Sequence, residues 1–107
     1  MERRRSKRKI IRLEAERISG DSNHGVFIEN LSETGIYMIT APARKEIDYT
    51  PGMMVDLKFH LKSDETLNLN CKVIWSYKTP PHGITNSVGL EIIDPPLKYL
   101  EFVRTLS

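Results

Sequence analysis

Residues 67–77 read Leu-Asn-Leu-Asn-Cys-Lys-Val-Ile-Trp-Ser-Tyr, with Leu67, Leu69, Cys71, Val73 and Trp75 at every second position. A β-strand turns successive side chains to opposite faces, so this period gathers all five on one apolar face and leaves the polar residues on the other. A helix would scatter them around its circumference. The same period recurs in residues 10–18, where Ile11, Leu13 and Ala15 oppose Arg12, Glu14 and Glu16. It returns in 54–61 through Val55, Leu57, Phe59 and Leu61, and in 87–94 through Val88, Leu90 and Ile92. Two shorter runs, 26–31 and 35–40, are β-branched and aromatic and complete a set of six short strands.

The intervening segments have turn chemistry: SGDSNHG at 19–25, a longer stretch at 41–52 that ends in Pro51-Gly52, KSDE at 62–65 and TPPHGITN at 79–86. After residue 94 the period changes. Asp94 can cap a helix, Pro95 or Pro96 suits its first turn, and Leu97, Leu100, Val103 and Leu106 follow at helical spacing. That stripe must pack on something, most simply the sheet. The expected class is all-β with one C-terminal α-helix, arranged as a small antiparallel barrel or sandwich; closure into a barrel would remove exposed edges. A chain of 107 residues is expected to form one domain with its own core.

One cysteine, Cys71, excludes an intrachain disulfide and points to a reducing, cytoplasmic setting. No apolar run reaches a membrane span, and no apolar stretch follows the basic N-terminus to make an export signal. The charge is lopsided: residues 1–12 hold seven of the 16 Lys and Arg but one of the 14 acids, which leaves the other 95 residues at a net of −4. A mildly acidic body with one basic locus argues against a nonspecific nucleic-acid coat. No phosphate-binding loop, metal set or base-flanked nucleophile is present, so no enzyme is expected. His24, His60 and His82 are far apart and lack metal-ligand spacing with Cys71. Cys71 and Trp75 are assigned to the core, and Glu14 and Glu16 to a solvated strand face.

Two stretches remain. Arg3-Arg4-Arg5-Ser6-Lys7-Arg8 reads RRxxxR just before the first strand, and Asn30-Leu31-Ser32-Glu33-Thr34-Gly35 reads NxSxxG after the second. Alone, the first is a solvated tail and the second a good turn. Together, 22 positions apart from Arg8 to Asn30 and on this strand pattern, they resemble the signature of the PilZ family, bacterial receptors for cyclic di-GMP. The resemblance covers nearly the whole chain, including CKVIWS and SVGLEIID as later strands. It implies a six-stranded antiparallel PilZ-like β-barrel at 10–94, a basic ligand-binding arm at 1–9, and a helix at 95–107 packed on the barrel.

The resemblance further implies a cyclic di-GMP site made of Arg3, Arg4, Arg8, Asn30, Ser32 and Gly35, with no cofactor beyond that ligand. Asn30 and Ser32 would hydrogen-bond the guanine and Gly35 would keep the turn tight. Arg3, just ahead of the arginine pair, is associated in the family with an intercalated dimer of the ligand. The chemistry suits the residues: a guanidinium fork clamps a phosphate or the O6/N7 edge of guanine, and its face stacks on a base. Asn30 stands where Asp is commoner, and it accepts at one atom and donates at the other. The family's single-domain forms act as adaptors in motility, exopolysaccharide production, biofilm formation or virulence, signalling to a downstream protein or an adjoining domain. Two other readings stand beside this one: a degenerate domain of the same type that binds only proteins, and a nucleic-acid module working through the basic arm.

Overall fold

In the computed structural model, which describes residues 8–19, 22–40, 49–61, 64–78 and 85–106, the alternating segments close on themselves. Six strands, β1 (Lys9–Ser19), β2 (Ser22–Leu31), β3 (Gly35–Thr40), β4 (Met54–His60), β5 (Thr66–Lys78) and β6 (Asn86–Ile93), precede one helix, α1 (Leu97–Thr105). They form a closed barrel in the order β1-β2-β3-β6-β5-β4, and β4 returns to β1. Every pairing is antiparallel. The closing seam pairs Ala15–Ile18 of β1 with Asp56–Phe59 of β4, which covers those stretches against pairing with another chain. Among the described residues, no helix is long and apolar enough to cross a membrane.

The inward faces follow the period-two pattern. Ala15, Val55, Leu57, Phe59, Leu67, Leu69, Cys71, Val73, Val88, Leu90 and Ile92 are all buried in one core. Burial pushes the Cys71 thiol up to about 12. The polar alternation on β1 also holds, with Glu14 exposed and Glu16 half-buried. Among the described residues one buried position is charged: Arg17, with its guanidinium carbon 4.7 Å from the centroid of the Tyr49 ring. A cation over an aromatic face recovers part of the hydration that burial removes.

Four expectations are corrected. β2 begins at Ser22, so most of SGDSNHG is strand; Ile18, Arg17 and Glu16 pair with Asn23, His24 and Gly25, and the ladder hydrogen bonds outweigh local turn preference. The N-cap of α1 is Pro96, with no side-chain capping bond, and Asp94 lies two residues earlier with φ of 48°. Leu97 is exposed; the buried helical residues are Tyr99 and Val103, because the face that meets the barrel is centred on Tyr99. Trp75 is not in the core. A bulge between Val73 and Trp75 puts two residues of β5 opposite one of β6, and beyond it the faces exchange, so Trp75 and Tyr77 turn outward.

Helix α1 packs against the end of the barrel where β2 meets β3 and β4 meets β5. The Tyr99 ring meets Phe59 edge-on, with centroids 6.3 Å apart. Lys98 reaches Glu65 across 2.8 Å, and Arg104 reaches Glu33 across 3.2 Å. Both ion pairs are exposed, so each adds little to stability; the buried Tyr99 is the stronger anchor.

Candidate functional site

Arg8 immediately precedes β1, and the antiparallel β1–β2 pairing sets Lys9 opposite Leu31 and Ile10 opposite Asn30. The hairpin therefore brings Arg8 to the turn that follows β2. Arg8 Nη1 donates to Asn30 Oδ1 at 2.6 Å, across 22 positions of sequence. The guanidinium also passes close over Gly35: a Cβ there would lie 3.1 Å from Arg8 Nη2 and 3.1 Å from the Leu90 carbonyl oxygen. Gly35 does not take a left-handed backbone; among the described residues the positive-φ glycine is Gly52. What favours glycine at position 35 is the tight approach of these neighbours, not an unusual dihedral.

Ser32 builds the turn. Its Oγ accepts from the backbone N–H of Thr34 at 3.2 Å and of Gly35 at 3.1 Å, and its own N–H donates to the Gly35 carbonyl at 2.8 Å. This is the local side-chain-to-backbone bonding that favours Ser in turns. The Ser32 carbonyl accepts from the Tyr99 hydroxyl at 2.6 Å, and the Thr34 carbonyl from the Ile92 N–H at 2.9 Å. The turn is thus fixed by its own serine, by β6 and by α1. Burial pushes the Tyr99 phenol well above its ordinary range, which keeps it a neutral donor to that carbonyl. Ser32 is itself buried, with its oxygen engaged by two backbone donors.

Four of the six residues singled out from sequence, Arg8, Asn30, Ser32 and Gly35, meet in one place. Arg3 and Arg4 lie outside the described residues. His82 also lies outside them, and among the described residues no cluster of His, Cys, Asp and Glu could hold a metal ion.

Beside Arg8 and Asn30 opens a pocket of about 400 Å³, whose walls include Tyr37, Trp75, Gly89 and Leu90. The Trp75 indole lies on Gly89, where a Cβ would be 2.3 Å from its Cε2 and Nε1 atoms. Tyr77 stacks against the indole at 5.5 Å with an interplanar angle of 14°, and Tyr37 sits tilted at 5.6 Å. Trp75 is 40 % exposed. The result is a group of three aromatic rings on the outside of the barrel, of which Tyr37 and Trp75 line the pocket together with Arg8 and Asn30. Flat π-faces accept any base, and the guanidinium supplies positive charge and planar donors. The arrangement can hold a planar, anionic, hydrogen-bonding ligand such as a nucleotide. Sequence reasoning missed Trp75 because a bulge leaves no local mark; the available signal was a glycine, Gly89, on the strand paired with it.

Comparison with known proteins agrees with this architecture. The family model described as the PilZ domain matches residues 2–106. The structure of the inhibitor of motility MotI/DgrA of Bacillus subtilis is similar to this chain with a TM-score of 0.73 at 15 % identity, over 96 % of this chain and 48 % of that one. This chain therefore spans about half the length of that relative. The PilZ domain of YcgR from Escherichia coli, solved with c-di-GMP, is similar with a TM-score of 0.70 at 13 % identity, over 96 % of this chain and 87 % of that one. At such identities the likeness speaks to the fold. No curated protein matches the chain.

Proposed function

The chain belongs to the PilZ domain family, and from that membership we propose that it is a bacterial cyclic di-GMP receptor acting as an adaptor, not as an enzyme. The observation that carries the reading is the 2.6 Å bond from Arg8 to Asn30, which joins the two motifs beside an aromatic shelf. Cyclic di-GMP offers two phosphates and two guanines. In this reading Arg4 and Arg8 clamp phosphate or the guanine O6/N7 edge, Asn30 meets a base, Ser32 and Gly35 hold the turn, and Trp75 stacks. Arg3 extends the clamp to an intercalated dimer of the ligand. The setting is the cytoplasm, and the ligand is a signal, with no cofactor needed.

Binding would engage the arm at residues 1–9 against the barrel and change the surface that a downstream protein or adjoining domain reads. The route inward is short, because the Tyr99 hydroxyl of α1 holds the Ser32 carbonyl in the same turn. Calorimetric titration of the chain with cyclic di-GMP, with GTP and cyclic GMP as controls, tests the proposal and gives the stoichiometry. Arg8→Ala should keep the fold, since Arg8 is exposed, and should weaken binding by about tenfold or more, the loss of a charged hydrogen bond. Selective binding that Arg8→Ala leaves untouched would refute the site. A folded chain with an intact arm that binds no cyclic di-GMP would refute the function.

A further inference from the structure

Asn30 has one amide oxygen and one amide nitrogen, and Arg8 decides which way round they sit. Arg8 Nη1 lies 2.6 Å from the Asn30 amide. A guanidinium has donors only, so the atom that faces it is Oδ1, and Nδ2 with its two N–H groups faces elsewhere. The flipped amide would set N–H against N–H. Asn30 therefore keeps a mixed edge for a ligand: two donors on Nδ2 and one remaining lone pair on Oδ1.

A carboxylate in this position would have only acceptors. It would match the adjacent N1–H and N2–H donors of guanine, and no edge of adenine in the same two-point way. A carboxamide instead matches a donor next to an acceptor. Guanine has such a pair in N1–H and O6, and adenine has it twice, in N6–H with N1 and N6–H with N7. The hydrogen bonds of Asn30 therefore do not separate the two purines. Neither does the Trp75 shelf, since every base has a π-face.

Resting on the reading of this pocket as a cyclic dinucleotide site, we infer that Asn30, held by Arg8, makes it tolerant of adenine at one base. A mixed guanine–adenine cyclic dinucleotide is then a second ligand. The arginines keep a preference for the guanine at the other base, where O6 and N7 accept together.

The test is calorimetric titration of the wild-type chain and of Asn30→Asp with cyclic di-GMP and with 3′,3′-cyclic GMP-AMP. The wild type is expected to bind the two within about tenfold of each other, no more than the low end of what one bidentate pair discriminates. Asn30→Asp is expected to widen that ratio by roughly 5- to 150-fold, the range for one bidentate pair. An unchanged ratio in Asn30→Asp, or a wild type that disfavours the mixed nucleotide by more than about tenfold, overturns the inference and leaves the receptor reading standing. Failure of the folded wild type to bind either nucleotide overturns both. The wild-type ratio decides the matter even where the variant folds poorly.

Discussion

Gly89→Ala separates the aromatic shelf from the barrel beneath it. The added methyl would lie 2.3 Å from Trp75 Cε2 and Nε1 and 2.8 Å from Cζ2. Carbon contacts settle at about 3.5–4.0 Å, so the indole must lift or swing by roughly 1.2 Å or more. The backbone itself accepts alanine, because Gly89 has no positive φ and lies within β6. Alanine in a strand gains about 0.5–1 kcal/mol over glycine, and the displaced ring of Trp75, a residue already 40 % exposed, gives back a similar amount of contact. Stability should therefore change by less than about 1 kcal/mol. Binding should respond far more, since stacking on an aromatic ring is worth about 1–3 kcal/mol per base, or roughly 5- to 150-fold in affinity. Trp75 is the one tryptophan in the chain, so its fluorescence reports the ring directly. The expected result is a red-shifted, more quenchable emission, a near-unchanged melting temperature and weakened cyclic di-GMP binding. A moved ring with unchanged affinity would refute the stacking role, and an unmoved ring would refute the packing argument.

Two further outcomes follow from the buried groups. Tyr99→Phe removes the 2.6 Å hydroxyl bond to the Ser32 carbonyl and leaves a buried acceptor unpaired, so it should cost about 1–3 kcal/mol in thermal unfolding and speed amide exchange in residues 30–35. Equal stability and equal exchange would show that α1 does not hold the turn. The Cys71 thiol, held at about 12 by burial against an ordinary 9.0, stays protonated in the folded chain where an unfolded chain would ionise. The unfolded state then binds fewer protons, so this contribution is whole below pH 9 and is lost as pH rises from 9 towards 12. Melting temperature should fall across that window, less steeply in Cys71→Ala, and native Cys71 should resist a thiol reagent at pH 8 that labels it after unfolding.

The six strands, their antiparallel class and the terminal helix were legible because each rests on short-range periodicity. Leu67, Leu69, Cys71 and Val73 alternate with polar residues, and these four are buried while the residues between them are exposed. The two motifs were legible as well, since arginines and a serine-glycine turn are local features. Boundaries were less so: the strand register of Glu16 to Ile18 recruits Asn23 to Gly25, residues that prefer turns, because pairing is a property of two strands at once.

What the sequence determined by itself is which residues prefer to be inside and which segments can bend. Those preferences follow from side-chain chemistry within a few positions. Tertiary structure decided how the barrel closes and that Trp75 lies outside it, across from a glycine on the neighbouring strand. It decided too that Arg8 meets Asn30, and that Tyr99 rather than Leu97 anchors the helix. A bulge, a cross-strand contact and a helix docking angle depend on partners far along the chain, and they exist only once those partners have been brought together.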